Sequence, residues 1–549
     1  MSRRSTAFEP RIRRQIWLKQ LPNSRLIHQW SGLIAAIGVL MWTLSGLLHP
    51  LMSRQNPQPL TQRPFLVQQA NDPSKASVAA PHELSSRLSS QLPNPSDWLR
   101  QAGLTQAHSV RWLYHAGQPL LQVQVTPHEP ARYWRIDGTE QRDYDATLAQ
   151  QIAQHYVGKD FAIRNVQHIT HFTDDYVSVN QLLPVWQITF DHPNGLRAYV
   201  DTQTPRLGAL VDDTKRRNQN FFRALHTGSW MPSEAARVGL MTVFLMAGFT
   251  SALTGLWYYT VRWQLGSLST QHAAQQQRSA RWHRGLGLAV SVFLLSWTIS
   301  GTWHLWHQSL VEQRPATQQR GAMLSAPLPI SALTAVQLPN DVTTWRTLNA
   351  VQLQSSASSG VVWQVDMPSA SMSASASTKN TPPQDEHSHH AKGTPPPPSP
   401  SASQRSSGLR YWSNSTQQWI ANADQTYAQQ LANQSSIAST TSLQVEKITT
   451  LITTFKGEYG FINKRLPVWR VYDSETQTAR YVETSTGRLA LETHQSDRIE
   501  GLIFANFHKW HFIGDWLNKD WRDSLQALGA ALVMLLTVLG VWLYVRRRF

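Results

Sequence analysis

Four apolar stretches, at about 30–51, 235–260, 285–306 and 524–545, each have the roughly 20-residue length that crosses a bilayer as a helix. A chain with four such stretches and two long polar segments between them has to fold partly in lipid and partly in water. The expected layout is a basic tail (1–25), a first span (26–51) and a polar segment (52–230). A second span (231–261), a short loop (262–282) and a third span (283–307) follow. A second polar segment (308–520) and a last span with a basic tail (521–549) close the chain.

Charge placement orients this layout. The net charge is +16, which on its own would suit a nucleic-acid binder. The tail before the first span, however, holds seven Lys or Arg against one acid, and the loop Arg262–Arg284 holds four Arg and no acid. The chain closes on Arg546, Arg547 and Arg548. These three short segments carry +13 of the charge, which is the positive-inside pattern. Both termini and the short loop are therefore expected in the cytoplasm and the two long segments in the periplasm of a bacterial inner membrane, with no call for nucleic acid as a partner. The first span is expected to be retained, since "LHPLMSRQN" offers no small-x-small cleavage site.

The chain is also written twice. "WTLSGLLH" at 42–49 returns as "WTISGTWH" at 297–304, and the offset of 255 extends to His28 with His283 and Gly32 with Gly287. Phe222-x-x-x-His226, leading to Gly255-x-Trp257-x-Tyr259, matches Phe507-x-x-x-His511, leading to Gly540-x-Trp542-x-Tyr544, at an offset of 285. A Ser/Pro-rich insertion at 366–408, with "HSHH" inside it, accounts for the larger offset and reads as a solvated loop. The polar segments repeat as well. "DATLAQQIA" (145–153) matches "DQTYAQQLA" (424–432), each a helix expected to open on an Asp N-cap. "YVSVNQLLPVW" (176–186) matches "YGFINKRLPVW" (459–469), and the strand "RAYVDTQTPRL" (197–207) matches "RYVETSTGRL" (480–489). The fold class that follows is an α+β membrane protein: four transmembrane helices in two internal repeats, each repeat carrying an α+β module outside the membrane.

Cysteine is absent, which excludes disulfides, thiolate metal sites, iron–sulfur clusters and c-type haem attachment. Histidine becomes the ligand to follow. On a helix, Gly46 lies above His28, with Trp42 and His49 near the same stripe, and Gly301, Trp297 and His304 relate to His283 alike. Gly32, Gly46, Gly287 and Gly301 each sit about one turn from a histidine and would leave a flat surface for a porphyrin. An ionisable residue in a span is a functional candidate, although small residues also serve close helix packing. Zinc or copper sites would call for further ligands, and the spans contain essentially no carboxylates. Paired imidazoles suit six-coordinate b-type haem and electron transfer. His28, His49, His226, His283, His304 and His511 are the candidate ligands for two or more haems. His28 is expected to pair with His283. On the outer side either His49 pairs with His304, or each joins His226 or His511 of its own half. His307 and His508 occur in the second half alone and are alternates, either spare ligands or surface residues. Trp42 and Trp297 lie between the two levels, as an electron path or as packing.

The helix, "LPVW" strand and "YVDTQTPRL"/"YVETSTGRL" strand resemble PepSY modules, and the four flanking spans resemble the PepSY-associated transmembrane family of bacterial inner-membrane proteins. The resemblance spans nearly the whole chain apart from the first 25 residues and the insertion. It implies a haem-containing siderophore reductase of the ferrioxamine B reductase type, with a ferric siderophore as periplasmic acceptor. No G-x-G-x-x-G fingerprint is present, so the electron donor is expected to be quinol or another membrane or cytoplasmic protein. A PepSY sensor or partner-docking protein and a haem or metal transporter are the competing expectations.

Overall fold

The computed structural model describes residues 8–65, 91–115, 118–264, 274–339, 342, 345–354, 359–367, 407–434, 447–515 and 518–548. Most of the 366–408 insertion, "HSHH" included, and residues 265–273 of the short loop lie outside the described residues.

Eight helices organise the site: α1 (Phe8–Arg54), α2 (Tyr144–Val157), α3 (Asp213–Phe222), α4 (Glu234–Gln264), α5 (Ala274–Glu312), α6 (Ala423–Gln434), α7 (Gln495–Ile503) and α8 (Lys519–Arg548). Four of them contain stretches long and apolar enough to cross a membrane: Asn23–His49 of α1, Glu234–Thr260 of α4, Ser279–Glu312 of α5 and Asp520–Arg546 of α8. In lipid a helix satisfies every backbone polar group within itself. Helix α1 packs against α4 and α8, and α5 packs against the same two. Ala35, Val39, Val290 and Val533 are buried where the four meet. Small residues set the approach: a Cβ on Gly248 of α4 would lie 3.2 Å from Thr298 Cγ2 of α5.

Outside the bundle, each half of the chain lays one helix on a four-stranded antiparallel sheet. In the first half Leu148, Ala149, Ile152, Ala153 and Tyr156 form one face of α2 and pack against Ile188, Phe190, Ala198 and Val200. In the second half Tyr427, Ala428, Leu431 and Ala432 of α6 pack against Val471, Val482 and Leu489. The expected Asp N-caps are corrected. Helix α2 begins at Tyr144 after Asp143 in the left-handed region, and Asp145 is buried in the first turn. There it accepts hydrogen bonds from Tyr133 Oη at 2.7 Å, Trp186 Nε1 at 2.7 Å and the Ala131 amide at 3.3 Å. Asp424 does the same for Tyr411 Oη (2.8 Å) and Trp469 Nε1 (2.6 Å). The tryptophan of each "LPVW" therefore ties its strand to its helix through a buried carboxylate; both leucine–proline bonds before it are cis.

The two halves are not separate modules. Strands from both form one eight-stranded antiparallel sheet, in the order Gln418–Ile420, Leu409–Ser413, Ser359–Asp366, Thr347–Gln354, Ser109–His115, Gln118–Gln124, Arg132–Arg135, Glu140–Gln141. The seam pairs Leu348 with Trp112 and Ala350 with Val110. Trp112, Trp134, Trp363 and Trp412 fill the core beneath it.

Candidate functional site

The bundle brings together two histidine pairs. His28 of α1 and His283 of α5 face each other near the ends of the helices distant from the sheets, with ring centres 6.2 Å apart and planes inclined at 61°. His226 and His508 face each other on the sheet side, with ring centres 6.4 Å apart and planes at 89°.

The chain makes these pairs by different means. His28 Nδ1 donates to the Ser251 carbonyl of α4 at 2.9 Å. Across from each distal ring stands a glycine of the neighbouring helix. A Cβ on Gly255 would lie 3.0 Å from His28 Cε1, and one on Gly540 would lie 3.1 Å from His283 Cε1. The sheet-side rings stand at the end of a single π-helical turn each, His226 as the penultimate residue of Arg223–Thr227 and His508 as the last of Phe504–His508. Such turns recur at functional sites.

Here the repeated octapeptide acts. Trp42 Nε1 donates to the His226 carbonyl and Trp297 Nε1 to the His508 carbonyl, both at 3.1 Å. Ser45 Oγ lies 3.0 Å from His226 Nδ1, and Ser300 Oγ lies 3.2 Å from His508 Nδ1. Each hydroxyl directs its own proton to a helix carbonyl, Ser45 to Trp42 O at 3.0 Å and Ser300 to Ser296 O at 2.7 Å. The serine oxygens therefore accept from Nδ1–H. In His28, His226 and His508 alike this tautomer puts the lone pair on Nε2. Burial pushes the His508 imidazole well below its ordinary value, with His226, His304 and Lys509 adding to the effect, which favours the neutral ring.

His49 and His304, the last residues of the octapeptides, are each held within their own half. His49 lies against Phe222 (5.1 Å between ring centres), which stacks on His226 at 4.7 Å. His304 stacks on Phe504 at 4.3 Å, which stacks on His508 at 4.6 Å. In the second half acids join this column. His304 Nδ1 donates to Glu500 of α7 at 2.5 Å. One turn on, His307 Nε2 lies 2.9 Å from Asp497, which also binds Arg314 at 2.6 Å. Burial would raise the Asp497 carboxyl, but the hydrogen bonds from Arg314 and the His494 amide outweigh it and hold it below its ordinary value. Among the described residues no group of three or more His, Asp or Glu is arranged to hold a metal ion.

Two expectations need correction. The counterpart of His226 is His508 and not His511, because Trp297 and Ser300 make with His508 the contacts that Trp42 and Ser45 make with His226. "FANFHKWHF" contains Phe-x-x-x-His in two registers three residues apart, and the offset of the flanking spans selects the wrong one. His511 is buried at the start of the following turn, His511–Asp515. The glycines also divide. A Cβ on Gly46 would meet nothing within 4 Å, whereas Gly32 abuts Ser251 Oγ (3.3 Å), Gly301 abuts Leu245 (3.3 Å) and Gly287 lies in ordinary contact with Leu536 (3.8 Å). Gly32 and Gly301 thus serve helix packing. Ser45, Ser300, Gly255 and Gly540 escaped the sequence reading as site residues although all four belong to repeated motifs.

The family model of the PepSY-associated TM region matches residues 25–458. The chain belongs to this family. No curated protein matches this PepSY-associated TM protein. The match takes in the first three spans, the octapeptides and the His28, His226 and His283 sites; His508 lies beyond it.

Two imidazoles that bind one metal from opposite sides, at about 2 Å per metal–nitrogen bond, place their ring centres roughly 6 Å apart. Both pairs of this PepSY-associated TM protein have that spacing. Edge-on rings in plain contact reach similar separations, so the spacing gains its meaning from the anchored Nδ1 atoms. Metal-ligating histidines are oriented in this way, by a hydrogen bond from the ring nitrogen that does not bind the metal.

Proposed function

We propose that this protein is a duplicated haem-b reductase of the bacterial inner membrane that passes electrons outward to a periplasmic ferric siderophore. The observation that carries the reading is the pair of facing imidazole sites at opposite levels of one four-helix bundle, with Nδ1 anchored on three of the four rings. His28 and His283 would hold one haem near the cytoplasmic side, and His226 and His508 a second near the periplasmic side. A pair of imidazoles is too few ligands for zinc or copper alone but complete for a macrocycle that supplies the other four. Haem held by these histidines would supply a one-electron Fe(III)/Fe(II) couple suited to electron transfer.

The protein's own residues do the rest. The serines and the Ser251 carbonyl fix ring orientation, and the apolar bundle excludes water between the two levels. The basic tail and loop orient the chain with both termini in the cytoplasm. The donor, quinol or a protein, then meets the His28 side, and the β-sheet domain stands over the outlet. The resemblance to the PepSY-associated transmembrane family, which implies a siderophore reductase, supports the acceptor, whose reduction to Fe(II) would weaken its hard oxygen cage.

An absorbance spectrum of the detergent-purified protein, oxidised and dithionite-reduced, with haem counted per chain, tests this reading. Sharp reduced bands of six-coordinate b-haem at two per chain are expected. A colourless protein from haem-replete cells would sink the reading and return the sensor or docking alternative.

A further inference from the structure

A cavity of about 70 Å³ lies outside the bundle, between the strand Thr347–Gln354 and α6. It borders the short pairing of Leu328 and Pro329 with Ala107 and Gln106, which joins the second half to the first. The duplication gives this groove a counterpart. His155 of α2 corresponds to Gln434 of α6, and in the first half an aromatic ring packs there: Phe65, 5% exposed, has its ring centre 5.6 Å from that of His155 and 5.8 Å from that of His115. In the second half the same helix face, Tyr427, Gln430, Leu431 and Gln434, borders open space. Leu328, Val351 and Leu431 supply its apolar wall, and the polar lining comes from His108 of the first half with Ser325, Gln352, Gln354, Tyr427 and Gln434 of the second. Gln430 is occupied within the protein, accepting from the Gln354 amide at 3.0 Å and donating to the Gln352 carbonyl at 2.9 Å. Among the described residues no Asp, Glu, Lys or Arg lines the cavity. Burial lowers the His108 imidazole below its ordinary value, Arg488 adds to this, and the hydrogen bond to the Ser325 main chain offsets it only in part. His108 Nδ1 is buried without a hydrogen-bond partner among the described residues, which on the neutral ring is a lone pair open to an O–H donor.

We propose that this cavity is a binding site for a small neutral polyol, of the size of glycerol or erythritol, which bridges the two halves at their junction. At about 10–15 Å³ for each water-sized position, the space takes roughly five to seven non-hydrogen atoms. A hydroxyl group both donates and accepts, so it can give its proton to His108 Nδ1 and take one from a carboxamide or from Tyr427. The C–H faces of such a molecule suit the apolar wall. A cation would find no acid in the lining and an anion no Lys or Arg, and leaving a charge unpaired there would be costly. Because the ligand would touch His108 from one half and Tyr427 and Gln434 from the other, its binding would add to the stability of the joined domain by mass action. The site shares no residue with the histidine pairs.

Saturation-transfer NMR with erythritol and the full-length protein in lipid nanodiscs tests the proposal. Saturable binding is expected, several-fold weaker in Tyr427→Phe, which keeps the ring and deletes the hydroxyl, and in His108→Leu, which deletes the open lone pair. Glycerate, a carboxylate of similar size, should not compete. Should either variant fail to fold, amide exchange on the wild type gives the same answer: erythritol should slow exchange at Gln352–Gln354 and Gln430–Gln434 and leave Gln151–His155 of the first half, where Phe65 packs, unchanged. A signal that does not saturate, equal binding in both folded variants, or exchange slowed alike on α2 and α6 as a general co-solvent effect would mean that the cavity holds water only, and would overturn the proposal. Competition by glycerate would overturn the neutral class. A colourless protein would overturn the haem reading and leave these outcomes unaffected.

Discussion

Ser45 and Ser300 answer why one chain writes Trp-Thr-x-Ser-Gly-x-x-His twice. Each octapeptide is a socket for a histidine that arrives from another part of its own half. The tryptophan holds that histidine's carbonyl and the serine its Nδ1, while the closing histidine packs on the phenylalanine one turn before it. The assignment separates two residues that sequence alone confuses. On the proposed reading that each histidine pair holds one haem, His226→Ala or His508→Ala should each remove about half of the haem per chain, because a bis-imidazole site needs both partners. His511→Ala should leave the haem count unchanged, and pyridine haemochrome quantitation distinguishes the two results. Of the candidate site, His28 and His283 were legible because they recur in one fixed frame, and His226 because a Phe-x-x-x-His precedes its span. His508 was not, since one insertion of three residues between histidine and span hides the correct register, and no pattern within a single helix shows which residue a ring meets on the next.

At the scale of elements, the four helices were readable from length and apolarity, and the small helices from one buried face. Their boundaries and hubs were less so. Asp145 and Asp424 look like N-caps, yet both are turned inward because each module needs a carboxylate to satisfy a buried tyrosine and tryptophan. Asp145→Ala would strand the donors of Tyr133, Trp186 and Ala131 in a buried site, and should destabilise the first-half module by about 2–4 kcal/mol, read as a lowered melting temperature. A tryptophan of the octapeptide tethers each π-turn, and at His508 the carbonyl also accepts from Gln526 Nε2 at 3.2 Å. Trp42→Phe keeps most of the packing and deletes the indole donor to the His226 carbonyl, at a cost of roughly 1 kcal/mol. Faster amide exchange confined to Arg223–Thr227 is expected, and Trp297→Phe should do the same at Phe504–His508. Uniform acceleration across α1 would contradict the tether.

Across the whole molecule, the repeat suggests two independent modules, and the structure instead joins them into one domain over the sheet-side pair. Sequence could not show this, because pairing Thr347–Gln354 with Ser109–His115 needs no motif beyond ordinary strand residues. A buried ion cluster adds to the sheet at the same junction. Glu483 of the second half is 1% exposed and lies 2.8 Å from Arg206 of the first half and 2.6 Å from Arg465. Lys464 also crosses over, to Asn180 at 3.2 Å and to the Gly208 carbonyl at 2.5 Å. Burial alone would raise the Glu483 carboxyl, but Arg206 and Arg465 outweigh it and hold it at about 2, against an ordinary 4.5. A folded-state value below the unfolded one means that the stabilisation is fully present above pH 4.5 and is lost as pH falls through about 2. Glu483→Gln keeps the shape but leaves the buried Arg465 and the half-buried Arg206 without their counter-charge. At pH 7 it should cost about 3–5 kcal/mol, with loss of the first half's register on the second. As pH falls from 4.5 toward 2 the deficit should shrink, because the unfolded chain's Glu483 then takes up a proton that the folded carboxylate resists until about pH 2. Thermal melting of both proteins across that range checks the point: a deficit that stays constant with pH would mean that the junction is held by strand pairing and packing, with the ion cluster contributing nothing net.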